Sequence, residues 1–102
     1  MSAFQLSREA ERDLDEAWLY IARESGSFDI ATRVVGSIYR RFWFLGAHPY
    51  GGRSRDDLEP GLRSFPAENH IIVYEILKHA GDEQVHILRV VHSSRDLITL
   101  FR

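Results

Sequence analysis

Four side chains in the last third of the sequence are the best suited to hold or act on an anion: Arg63, Arg89, His92 and Arg95. A guanidinium offers a planar fork of donors that matches carboxylate and phosphate, and an imidazole exchanges protons near neutral pH. Arg63 and Arg89 fall inside apolar, strand-like runs, and His92 and Arg95 follow the last of these runs at once. A small sheet that gathers them would make a local cationic site for nucleic acid or an acidic protein surface. Alternation places Arg63 with Phe65 on one strand face, and Arg89 with Val85, Ile87 and Val91 on one face of another. A plainer role is open to both: each can snorkel to the rim of the sheet or pair with an acid such as Glu75.

Catalysis by these groups would take the form of in-line RNA cleavage, which needs a base, an acid and a cation for the developing charge. Arg63 would be the cation, His92 one proton carrier, and Glu59, in the loop before Arg63, the candidate for the other. That set is incomplete, since the C-terminal segment holds neither Tyr nor Lys. No cofactor is implied. The five histidines are scattered without a helical metal-ligand pair, and Gly51-Gly52 lacks the strand–loop–helix setting of a phosphate loop. Ser93 and Ser94 have no recognisable base and orienter, so a nucleophilic triad is not supported.

The elements that must position these residues read clearly. Ala3–Leu6 is a short strand. Ser7 caps a helix whose apolar positions Ala10, Leu14, Ala17 and Ile21 repeat at three- and four-residue spacing, ending near Gly26. Ser27 caps a second helix with the stripe Ala31, Val34, Val35, Ile38, Phe42 and Leu45, closed by Gly46 and Pro49. Helices joined so tightly form an antiparallel hairpin. Residues 46–61, rich in Gly, Pro and charge, read as a long irregular loop. Strands follow at Leu62–Ala67, His70–Leu77 and Val85–Val91, with turns near Glu68-Asn69 and at Lys78–Asp82, where Gly81 suits a positive φ. A short helix over Leu97–Phe101 ends the chain. The predicted fold is α+β, in the order β-α-α-β-β-β, with the helical hairpin on one face of an antiparallel sheet.

The 102 residues suit one domain spanning 1–102, with 44% hydrophobic and 27% charged residues and a net charge of −2. Bulk charge therefore argues against a general nucleic-acid coat, so any basic site is local. The absence of cysteine, of a secretory leader and of any run near the roughly 20 apolar residues of a membrane span suggests a cytoplasmic protein. Several aromatic and apolar residues miss the helical stripes. Trp18 and Tyr39 flank them and read mainly as widening the core. Leu19, Trp43 and Phe44 together read as a partner surface.

The opening LSREAERDLDEAWLYIA, the loop His48-Pro49-Tyr50-Gly51, the segment DLEPGLRSFP over 57–66, the strand IIVYEI and the ending ILRVVHSSRDL together carry a resemblance. Over nearly its full length the chain resembles the ParE/RelE-superfamily toxins of bacterial type II toxin–antitoxin pairs. The resemblance implies the same helical hairpin on a sheet. Its RelE-like branch implies ribosome-dependent messenger-RNA cleavage, with Arg63 matching a strand arginine of that set. Ser93 and Thr99, however, stand where those nucleases tend to carry a basic residue and a tyrosine. PGLRSFP and RVVHSSRD are closer to the ParE branch, which implies poisoning of DNA gyrase without chemistry of its own.

On that branch the four cations singled out first, Arg63, Arg89, His92 and Arg95, are the residues expected to touch the target or the antitoxin, with Leu97–Phe101 as a second surface. It also implies an antitoxin with a DNA-binding N-terminal part and a disordered C-terminal tail that wraps the toxin. The tail is expected on Trp18, Leu19, Tyr39, Trp43 and Phe44. The alternatives are a RelE-like nuclease using Arg63, His92 and Glu59, and an inactive relic that only binds antitoxin and co-represses its operon.

Overall fold

Two serines set where the helices begin. In this computed structural model, which describes residues 3–101, the Ser7 side chain accepts from the Ala10 amide and the Ser27 side chain from the Ile30 amide. Each satisfies one of the amides a helix start leaves unpaired. They open α1 (Arg8–Ser25) and α2 (Phe28–Ala47), the latter preceded by the strand β1 (Phe4–Leu6) and α1. Gly26 takes φ 68 and returns its amide to the Ala22 carbonyl, so the hairpin turns within two residues.

Gly46 does not stop α2. It lies inside the helix, where the residue just before β1 passes directly against it: a methyl there would meet the Ala3 Cβ at 2.5 Å and the Ala3 carbonyl oxygen at 2.7 Å. The stretch after it is also less irregular than its composition suggests. A 3-10 turn at Pro49–Gly51 and a two-residue strand β2 (Arg53–Ser54) precede the loop of residues 55–61.

Then comes the meander, β3 (Leu62–Ala67), β4 (His70–His79) and β5 (Asp82–His92), followed by a single-turn helix α3 (Leu97–Leu100) capped by Asp96. The β4–β5 hairpin runs past its apolar residues to a two-residue turn. Ala80 and Gly81 both take positive φ there (52° and 86°), the twist that tight hairpins favour.

The five strands lie in the order β1-β5-β4-β3-β2. All neighbours are antiparallel except β1, which pairs parallel to β5 through Phe4↔Val85 and Leu6↔Ile87, so the sheet is mixed. Past β1 the exposed edge of β5 is taken over by α1 and its cap. The Ser7 amide donates to the Ile87 carbonyl (2.9 Å), the Ser7 hydroxyl to that of Leu88 (2.7 Å), and the Val90 amide to Asp13 Oδ2 (2.8 Å). An edge that would otherwise template pairing is thereby closed.

Both helices cover one face. Ala10 and Leu14 of α1 and Ile38, Phe42 and Leu45 of α2 form the core with Ile72, Tyr74, Val85, Ile87 and Val90 of the sheet. Residues opposite one another across strands share a face. One row on the helix side is Arg63↔Tyr74↔Ile87, and the next is Phe65↔Ile72↔Val90.

Between these rows the ladder slips. Tyr74 faces Ile87, yet Val73 faces Arg89, leaving Leu88 as an extra residue in β5. Such a bulge reverses the alternation. Arg89 therefore does not share a face with Val85 and Ile87, as simple alternation predicts. It joins Val91 and Val73 on the opposite face, away from Arg63.

Candidate functional site

The four cations singled out above occupy different settings. Arg63 lies on the helix side of β3. Its Nε and Nη2 both donate to the Gly52 carbonyl (3.1 and 2.6 Å), and Nη2 also approaches that of Tyr50 at 3.4 Å. The guanidinium sits 5.3 Å from the centre of the Tyr50 ring, and the Tyr50 hydroxyl donates to Glu83 at 2.6 Å. That bond to a carboxylate is the main cause holding the Tyr50 phenol above its ordinary value.

The buried Tyr74 hydroxyl completes the clamp, accepting from the Gly52 amide at 2.9 Å and donating to the Pro49 carbonyl at 2.7 Å. Gly52 is required there, because a methyl would meet that hydroxyl at 2.5 Å. Arg63 is thus bound to backbone carbonyls. Its charge meets no acid in these contacts, but its fork is engaged.

Arg89 is held differently. Its Nε and Nη2 donate to the two oxygens of Asp13 at 2.8 and 3.0 Å, a bidentate pair, while Asp13 Oδ2 also takes the Val90 amide. The hydrogen bond to Asp13 is the leading cause that raises the Arg89 guanidinium above its ordinary range. Asp13 is a residue the apolar pattern passes over. A signal was present, since Asp13 stands three residues after Ala10 and four before Ala17, on the buried stripe itself.

His92 and Arg95 are both exposed, at the far end of the sheet. The Ser94 amide donates to His92 Nδ1 at 3.2 Å, with the Ser94 hydroxyl 2.8 Å from the same nitrogen. The Arg95 amide donates to the His92 carbonyl at 2.9 Å, and among the described residues its guanidinium makes no ion pair. Both residues border a groove of about 550 Å³ between the helical hairpin, the Glu68-Asn69 turn and the end of β5. Ala17, Ile21, Val34 and Val90 give it an apolar lining, and Glu16 and Glu68 add acid.

His70 also lines this groove, with its ring 5.5 Å from that of His92. The Glu68 backbone, at φ 56, is in a region unusual for a residue with a Cβ, and its carboxylate accepts from the buried Ser37 hydroxyl at 2.7 Å. Arg41 donates to the same hydroxyl, so the turn is tied to α2.

No nucleolytic trio is assembled. The His92 row (Ala67↔His70↔His92) lies four β3 residues from Arg63 and two strands away, about 13 Å along the sheet and about 10 Å across it. Glu59 is exposed in the loop, where its backbone bonds with Arg55 and Leu62.

The off-stripe hydrophobic residues also separate. Trp18 is half-buried, donates to Thr32 Oγ1 at 3.2 Å and packs 5.3 Å from Phe28, joining the two helices. Leu19 is 49% exposed and Trp43 61%. Trp43 meets Phe4 edge-on at 5.0 Å on the β1 side of α2, while Phe44 stacks on Phe65 at 5.4 Å on the β3 side. Three strand spacings, about 14 Å, separate β1 from β3. Tyr39 packs on Phe42 at 5.2 Å; burial first, then Glu11 and Asp15 of α1, hold its phenol above the ordinary value.

Comparison with known proteins bears on what this arrangement serves. Residues 4–97 match the family model described as "ParE toxin of type II toxin-antitoxin system, parDE". Two curated relatives come from Caulobacter vibrioides. Toxin ParE1 is 28% identical over 94 residues, covering 92% of each chain, and Toxin ParE3 is 31% identical over 91 residues, covering 89% of this chain and 86% of that one. The fold is also that of a solved chain from the chromosomal ParDE TA system of P. aeruginosa, with a TM-score of 0.69, 24% identity, and coverage of 89% of this chain and 98% of that one. From β1 to the start of α3, then, the chain belongs to the ParE toxin family of type II toxin–antitoxin systems.

Proposed function

We propose that the protein poisons DNA gyrase by direct binding, without chemistry of its own, and is silenced by a ParD-like antitoxin whose tail folds onto it in the cytoplasm. Membership of the ParE family carries the reading. The separation of Arg63, Glu59 and His92 supports it against the nuclease alternative.

Target contact falls to His92 and Arg95, whose side chains stay exposed, with α3 as the adjoining surface. Arg63 and Arg89, engaged by Gly52 and Asp13, shape the sheet that presents them. The groove and the exposed Leu19, Trp43 and Phe44 receive the tail. Its apolar side chains bury surface there, and its acids meet Arg95.

Expression without antitoxin is expected to induce a DNA-damage response, and the purified protein to block supercoiling by gyrase. R95A should weaken that block while leaving the fold intact. Rapid translation arrest with cleaved messages would replace this reading with the nuclease one, and unimpaired growth would leave only the co-repressing relic.

A further inference from the structure

We propose that His70 and His92 form a proton-sensitive latch at the mouth of the groove, closed while both rings are neutral and released when they take up protons. The latch is a property of this chain and does not rest on the reading above.

The two histidines face each other across the last pair of the β4–β5 ladder, their rings inclined at 76°. Neutral rings pack favourably edge to face, whereas two imidazolium cations at this spacing repel. His70 also has its own reason to stay neutral. Nδ1 of His70 is buried and has no hydrogen-bond partner among the described residues. A charged imidazole carries a proton on both nitrogens, so charging His70 would place an N–H donor where no acceptor waits. His92 Nδ1 works as the acceptor for the Ser94 amide. A proton on that nitrogen ends the bond and frees the turn that carries Arg95.

The surrounding charges come from every side of the pair. Asp13, Glu16 and Tyr20 face the groove from α1, Glu68 from the β3–β4 turn, and Arg95 from the turn after β5. The part of α2 that lines it is apolar Val34, while Arg41 binds behind Glu68. Asp13 and Glu68 draw a proton towards His70, but Asp13 already accepts three hydrogen bonds from Arg89 and Val90. Burial and then the neighbouring His92 prevail, and His70 lies below the ordinary value of 6.5. The unfolded or opened chain therefore binds the proton first. The closed form keeps its full advantage above the ordinary value and loses it as pH falls towards the depressed one.

Nuclear magnetic resonance of the chain alone tests this, with a titration from about pH 8 to about pH 5. The His70 ring should titrate below the ordinary histidine value of 6.5. Hydrogen exchange at Ser94 and Arg95, corrected for its intrinsic pH dependence, should quicken as the pH falls below the ordinary histidine value. Mid-α2 amides should not change. In His92→Asn the side-chain oxygen can still accept from Ser94 and cannot be protonated. There the acceleration at Ser94 should vanish and His70 should titrate higher than in the parent. Titration of His70 at or above the ordinary value, flat exchange at Ser94 in the parent, or an acceleration that survives in H92N would each overturn the latch. Because no partner is present, the outcome does not depend on what fills the groove.

Discussion

Arg63 and Arg89 look interchangeable as letters: each is a cation between apolar neighbours in a strand. Their surroundings differ in kind. Arg63 spends its fork on the carbonyls of a 3-10 turn and lies against Tyr50, while Arg89 closes on the carboxylate of Asp13 and so joins α1 to β5. The first contact is charge to dipole and the second is charge to charge. In a partly desolvated setting the second leaves far more behind when one side is removed.

The largest effect should therefore come from D13A. It strands a guanidinium that is 26% exposed and also orphans the Val90 amide. A loss of about 3 kcal/mol is expected in urea denaturation, at the low end for buried pairs. Next is Gly52→Ala, which forces a methyl onto the Tyr74 hydroxyl and should cost about 2 kcal/mol while displacing residues 49–52. R63M removes only donors to carbonyls and should cost about 1 kcal/mol, with R63K restoring little because an ammonium lacks the fork.

Smallest is R95A, within about 0.5 kcal/mol for the fold, with its effect confined to binding. Equal losses for D13A and R63M would erase the contrast between the two arginines. A double-mutant cycle between Asp13 and Arg89 would sharpen it, because the coupling should account for most of the D13A loss. Acid adds a further test. Stability should decline as pH falls through the ordinary histidine range, because His70 is depressed, and H70F should flatten that slope.

The helical hairpin was legible because its signals are local. Ser7, Ser27 and Gly26 act within one turn of themselves, and the stripes from Ala10 to Ile21 and from Ala31 to Leu45 need no distant partner to be recognised. The three strands of the meander were legible from their apolar cores. Their ends were not, since Lys78, His79, Asp82 and Glu83 pair through the backbone and carry no apolar mark. The parallel docking of β1 and the two-residue β2 depend on edges offered by chain far away in sequence.

The site was less legible for the same reason. The extra residue at Leu88 leaves no trace in residue types, yet it decides which face Arg89 occupies. The importance of Tyr74 and Gly52 arises only when the 3-10 turn folds back over β3. His70, one of five scattered histidines in the sequence, gains its neighbour His92 only from the register of the hairpin.

The seam between the N-terminal segment and β5 also sets an order of events during synthesis. Ser7 and Asp13 are bonded to residues more than seventy positions later in the chain, at Leu88, Arg89 and Val90. The helices can assemble as soon as they leave the ribosome, but the outer strand has nothing to pair with until residues 82–92 emerge. A growing chain is thus kept from its finished shape until the segment carrying His92 has been translated. An antitoxin made beforehand would already be waiting when the toxin first becomes competent.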